Sequence, residues 1–236
     1  MRSTIFKKIK RRMGRGKRRA LLTSCTREYN VVRYGNAYGG FCIYDEKLKA
    51  AASPVIYTFG IGEDLSFSEA LSDAFDPEIY AFDPTPRAGI YVKQHRLSDR
   101  KTFHFSPVGL SSKDGTELFY LPENDDFVSG SAVTRDGMKE KGITVDMRTI
   151  DTLAKENGHE HIDLLKMDIE GSEFEVIRGY DPRSVTIDQI CMEVHDRFFD
   201  DGPERLVSLL DKMKELGYCL IHVSGNGNEL TFLKDV

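Results

Sequence analysis

Between residues 54 and 234, short apolar runs of β type alternate with stretches of helical spacing, and this alternation constrains the fold more than any other feature. Val55–Phe59, Glu78–Phe82, Thr102–Val108, Asp163–Met167 and Ile187–Val194 read as strands. After the first, Leu65, Phe67, Ala70, Leu71, Ala74 and Phe75 recur at close to helical spacing and so share one face. A helix over Pro203–Leu216 has proline in its first turn and stops at Gly217, and a shorter one carrying Phe174 and Ile177 stops at Gly179. Strands alternating with helices need crossover connections, hence a mainly parallel sheet. The final runs, Tyr218–Val223 and Glu229–Leu233, are separated only by the turn-forming "SGNGN", which predicts one antiparallel edge strand. The expected fold class is α/β, a Rossmann-like sheet that is mainly parallel.

Two stretches break the rhythm. Residues 21–53 precede the first strand and contain "RYGNAYGGFCIY", too rich in glycine for a regular helix. Residues 111–148 hold an expected hairpin and the turn-rich "NDDFVSGSAVTRDG", an insertion long enough to shape a binding site. The chain thus divides into a basic arm over 1–20, expected to be disordered, an N-terminal segment over 21–53 expected to pack by the ligand site, and a main domain over 54–236.

Charge sets the arm apart. Ten of the 33 Lys and Arg residues lie within residues 1–20, where there is no acid, so the rest of the chain holds 23 basic against 38 acidic side chains. The arm fits a solvated tail, a contact with an anionic membrane or nucleic acid, or an organelle-targeting peptide, and all three readings stay open. Cys25, Cys42, Cys191 and Cys219 have no paired spacing, and no secretory apolar region follows the basic start. A cytoplasmic or otherwise reducing compartment is expected.

In parallel sheets, ligands bind beyond the carboxyl ends of the strands. The first strand ends at Gly60-Ile61-Gly62, where missing side chains admit a ligand to the backbone. The second ends at Asp83, 21 residues after Gly62, the spacing of an acid that hydrogen-bonds a ribose hydroxyl. Glu63 and Asp64 follow the glycines where a dinucleotide turn has its third glycine, and their charge opposes a pyrophosphate. A cationic cofactor such as S-adenosylmethionine, with its sulfonium and ammonium groups, fits an acidic lip better. Asp168 ends the fourth strand, with Glu170 two residues on and Glu173 in the following helix, where an acid complements the helix dipole. Glu193 and His195 end the fifth and share a face by strand alternation. Asp168, Glu170, Glu193 and His195 are therefore expected to meet above the middle of the sheet.

The segments "RYGNAYGGFCIY", "VIYTFGIGEDLSF", "AFDPTP", "FSPVGLSS", "VDMRTIDTLAKENGHEHIDLLKMDIEGSEFEVIRG" and "QICMEVHD" together resemble FkbM-type methyltransferases, in the methyltransferase-like branch, over about residues 33 to 234. The resemblance implies a class I S-adenosylmethionine-dependent fold with a seven-stranded sheet, and O-methylation of a hydroxyl on a sugar, polyketide or other small molecule. It implies that Phe59, Gly60 and Gly62 line the methionine side, that Asp83 holds the ribose, that Pro107 and Val108 flank the adenine, and that Asp168 faces the methionine or the acceptor. Tyr38, Gly39 and Gly40 belong to a segment expected to shape the acceptor pocket. Two positions depart from the general class I pattern. Thr58 stands where the first-strand acid usually lies, and Asp64 replaces a glycine, which makes Asp64 a candidate partner for the ammonium group.

A sugar or alkyl hydroxyl is a poor nucleophile at neutral pH, so a base or a metal is expected. His195 is the candidate general base, with Asp168 or Glu170 orienting it or the acceptor. The alternative places Mg²⁺ among Asp168, Glu170 and Glu193, as in metal-dependent O-methyltransferases. Two rivals come from other classes: an NAD-linked oxidoreductase, against which the acidic lip counts, and a non-catalytic module binding a polyanion through the arm.

Overall fold

The computed structural model describes residues 16, 18–119 and 142–235. Its centre is a seven-stranded sheet built from β3 (Val55–Phe59), β4 (Glu78–Phe82), β5 (Phe103–Ser106), β9 (His161–Met167), β10 (Thr186–Glu193), β11 (Tyr218–Val223) and β12 (Glu229–Lys234), in the order β11-β12-β10-β9-β3-β4-β5. Neighbours from β10 to β5 run parallel. β12 is antiparallel to both β10 and β11. It lies one place in from the edge, because the short turn after β11 folds it back between β11 and β10, so the expected antiparallel edge strand is an inner strand instead.

The α-helices after residue 45, among the described residues, are α1 (Glu46–Ala50), α2 (Ser66–Phe75), α3 (Pro86–Gln94), α4 (Ile150–Asn157), α5 (Glu173–Gly179) and α6 (Gly202–Glu215). They leave both faces of the sheet covered, which is why its central strands are almost continuously apolar. One core cluster joins Tyr57, Phe59, Leu165 and Met167 to α4, α5 and α6. The other joins Ile56, Leu164 and Cys191 to Phe41, Leu48, Phe67 and Leu71. Alternate residues of β3 and β9 thus serve opposite layers. Lys166, the penultimate residue of β9, is buried on the second face.

The N-terminal segment contributes β1 (Val32–Tyr34) and β2 (Phe41–Ile43), an antiparallel pair against the second layer. Within the insertion and just before it, β6 (Gly109–Leu110), β7 (Gly115–Phe119) and β8 (Ile143–Arg148) form a separate three-stranded sheet, with β8 in the middle. Residues 18–25 are helical. Arg18, placed in the disordered arm on sequence grounds, is instead held: its guanidinium bonds both oxygens of Asp196 at 3.0–3.2 Å and donates to Gly227 O. Residues 1–15 of the arm and 120–141 of the insertion lie outside the described residues. Among the described residues, no helix is long and apolar enough to cross a membrane.

Candidate active site

A cleft of about 660 Å³ opens beyond the carboxyl ends of β3, β4, β9 and β10. Phe59, Gly60, Gly62, Asp64, Asp83, Asp168, Glu170, Glu193, His195, Tyr38 and Gly39 all line it. Its size lies within the range of small-molecule sites.

The glycine turn is fixed from two sides. Gly60 has φ +76°, and a Cβ there would come within 1.7 Å of Asp168 O, so only glycine lets this turn lie against the end of β9. Asp83 Oδ2 accepts the N–H groups of Ile61 and Gly62, both at 2.9 Å, while Oδ1 accepts Thr85 N–H and Oγ1–H at 2.8 and 2.6 Å. A carboxylate has about four acceptor positions, and protein donors fill all of them. Asp83 therefore clamps the turn to β4 rather than presenting a free acceptor for a ribose.

Asp64 is similarly committed. Its Oδ1 accepts Ser66 N–H at the start of α2, and its Oδ2 accepts Asn36 Nδ2–H, each at 2.7 Å. Asn36 Oδ1 in turn accepts the N–H groups of Tyr38 and Gly39 at 2.7 and 2.8 Å. The carboxylate expected at the ammonium thus takes the first N–H of α2 and ties the Tyr38–Gly39 loop to the glycine turn. A Cβ on Gly39 would press on the Asp64 carboxylate, and one on Gly40 would strike Tyr34 O and Asn36 O, so both glycines serve this close approach. Gly40, Pro107 and Val108 are not among the lining residues; Gly109 and Leu110 line the wall next to Pro107 and Val108.

His195 sits at the centre of the acids. β10 ends at Glu193, so His195 lies in the turn beyond it rather than on the strand, yet its Nε2 stays 3.6 Å from Glu193 Oε1. Nε2 is also 3.7 Å from Asp168 Oδ1 and 3.7 Å from Glu170 Oε2. Its ring is 1% exposed. Burial alone would lower the imidazole pKa, but Glu173, Asp168 and Glu170 outweigh it and raise it above the usual histidine value. Burial, opposed by Lys166 and assisted by Glu193, raises the Asp168 carboxyl. Its Oδ1 is covered and has no hydrogen-bond partner.

The helix dipole does not account for Glu173, which is fully buried beneath His195. Its Oε2 accepts Gly171 N–H at 2.9 Å and its Oε1 accepts His195 N–H at 2.7 Å. The same Oε1 faces His195 Nδ1 at 3.4 Å, a distance at which its charge is felt although no hydrogen bond forms. The signal available in the sequence was its place beside Phe174 and one turn before Ile177, on the side of the helix that carries the apolar residues, where an acid needs a buried partner.

Glu170 has φ +52° and precedes Gly171 at φ +108°. A non-glycine residue in the left-handed region is uncommon, and such strain gathers at functional sites. Here the unusual backbone turns the Glu170 carboxylate back toward His195. Opposite it, the largely exposed Tyr38 ring stands at the mouth. Partial burial and the Asp168, Glu170 and Glu193 carboxylates raise its phenol pKa.

The chain is 27% identical over 169 residues to the AMB antimetabolite synthetase AmbE of Pseudomonas aeruginosa, a match covering 70% of this chain and 7% of that much longer protein. It is also 27% identical over 176 residues to the 2-O-methyltransferase NoeI of Sinorhizobium fredii, covering 67% of this chain and 70% of NoeI. Among solved structures, it is similar to a fibrillarin/Nop5p complex at 12% identity, over 89% of this chain and 100% of that one, with a TM-score of 0.49. Residues 57–220 match the model of the methyltransferase FkbM domain, and the chain belongs to that family of S-adenosylmethionine-dependent methyltransferases.

Proposed function

We propose that this protein moves the methyl group of S-adenosylmethionine to a hydroxyl of a small molecule, a sugar or polyketide being the expected class, with His195 as general base. The observation that carries this reading is the placement of His195. Its ring is buried, with Nδ1 over the Glu173 carboxylate and Nε2 facing the cleft among Asp168, Glu170 and Glu193. The 2-O-methyltransferase activity named for NoeI supports a hydroxyl acceptor.

The lining fits such a cofactor: a glycine turn with no room for a Cβ, acids along one wall, and a buried polar atom on Thr58 that still lacks a partner. When bound, S-adenosylmethionine supplies a methyl carbon already activated by its sulfonium. The protein's share is alignment and proton removal. His195 Nε2 takes the hydroxyl proton as the acceptor oxygen bonds the methyl carbon and the carbon–sulfur bond breaks, leaving a methyl ether and S-adenosylhomocysteine. Glu173 holds the His195 backbone through its N–H, and its charge stabilises the protonated imidazole. Asp168 or Glu170 orients the acceptor.

A second reading rests on one further observation. Ligand atoms of Asp168, Glu193 and His195 lie within 4.8 Å of one another. This set replaces the Glu170 of the Mg²⁺ arrangement with an imidazole, and it would suit a divalent cation that acidifies the acceptor hydroxyl. One experiment separates the two. S-adenosylhomocysteine release is followed over a panel of glycosides and hydroxylated polyketides, with and without EDTA. A general base predicts EDTA-insensitive turnover that falls about 10²- to 10⁴-fold in His195→Ala while cofactor affinity holds. Loss with EDTA and recovery on adding Mg²⁺ or Mn²⁺ would favour the metal instead.

A further inference from the structure

Lys166 and Thr58 have no part in the chemistry above, yet both are buried against the cleft. They are register partners on β9 and β3, so their side chains share one face of the sheet. Lys166 Nζ donates to Gly60 O at 2.7 Å and Phe59 O at 3.2 Å, which sets its charge on the glycine turn. Its third N–H has no hydrogen-bond acceptor among the described residues; Asp168 Oδ2 stands 4.0 Å away. Thr58 is 3% exposed and its Oγ1 has no hydrogen-bond partner. Two unspent donors, one cationic, therefore face the cleft side by side in the cofactor's half of it. A lysine buried in an otherwise apolar strand is rare without an anion to meet it, and Asp168 meets this one only at the 4.0 Å limit of an ion pair.

The cofactor carries one anionic group, the α-carboxylate of its methionine part. The lip and floor otherwise present Glu63, Asp64, Asp168 and Glu170 to it. Among the described residues the other permanent cation lining the cleft, Arg197, is bound to Glu193 at 2.9 Å beyond the end of β10. We propose that Lys166 and Thr58 form the subsite for the α-carboxylate of S-adenosylmethionine, Lys166 as counter-ion and Thr58 as hydroxyl donor. The threonine in place of the usual first-strand acid follows from this: an acid at position 58 would pair with Lys166 and take its charge away from the ligand.

The assignment rests on the cofactor reading, and calorimetric titration of the full chain tests the two separately. The ligands are S-adenosylmethionine and its decarboxylated analogue, which keeps the sulfonium and the amine. Wild type is expected to prefer the carboxylated ligand. Lys166→Met should weaken S-adenosylmethionine about 10- to 100-fold, the worth of a hydrogen bond to a charged group, and leave the analogue unchanged. Thr58→Val should weaken S-adenosylmethionine several-fold while the melting temperature holds or rises, since the variant removes a buried hydroxyl that has no partner in the free protein. Equal weakening of both ligands in Lys166→Met would overturn the proposal and leave the lysine as a brace for the turn. Unchanged S-adenosylmethionine affinity in both variants would overturn it as well. A wild-type chain that binds neither ligand would sink the cofactor reading itself.

Discussion

At the scale of single residues, the site depends on which charges surround one imidazole. Glu173, Asp168 and Glu170 hold the His195 pKa above its usual value against the effect of burial. A base acts only when deprotonated, so turnover should rise with pH through a midpoint above that of free imidazole. Glu173→Gln removes the charge and keeps the size, its single amide oxygen accepting one of the Gly171 and His195 N–H groups. Its pH–rate midpoint should therefore move to lower pH; a midpoint that stays put would show that Glu173 does not govern the base. His195, Asp168, Glu170 and Glu193 were legible because each closes or follows a recognisable strand. Glu173 and Lys166 were not. An acid in the first turn of a helix has an adequate local explanation, and only the tertiary path that brings β10 over α5 puts it under the histidine. The clue to Lys166 was a cation inside "IDLLKM", a run apolar enough to be covered on both faces.

At the scale of elements, the connection from β9 to α5 is where local preference yields to the site. The other positive-φ non-glycine residue in the described chain, Asp76, ends α2 in a left-handed cap, an ordinary role. Glu170 instead holds that conformation within the cleft. Replacing it by glycine should relieve roughly 1 kcal/mol of backbone strain, so Glu170→Gly should melt no lower than wild type while losing turnover at least several-fold. A clear drop in melting temperature would mean that the Glu170 side chain stabilises the fold more than its backbone strains it. The strands of the main sheet were readable from their apolar runs, and the helices from their spacing and stops. The place of β12 was not, because adjacency in sequence fixes an antiparallel pair but not which member of it meets β10. Nor was the commitment of Asp83 and Asp64, whose spacing was right but whose donors come from a turn and a loop that only the fold brings within reach.

At the scale of the whole molecule, one sheet separates two apolar layers, and the cleft forms where the glycine turn, the β9 and β10 ends and the Tyr38–Gly39 loop converge. The N-terminal segment is part of this assembly, since Asn36 bonds Asp64 and Tyr38 lines the mouth. Arg18 extends the connection to Asp196, the neighbour of His195. The acidic wall of the cleft is what separates a cationic cofactor from a dinucleotide, and that distinction underlies every role assigned above. Calorimetric titration of the full-length protein with S-adenosylmethionine, and in parallel with NAD and NADH, tests it most directly. The account predicts saturable one-to-one binding of S-adenosylmethionine and none of either dinucleotide. Binding of NAD or NADH with no binding of S-adenosylmethionine would contradict it.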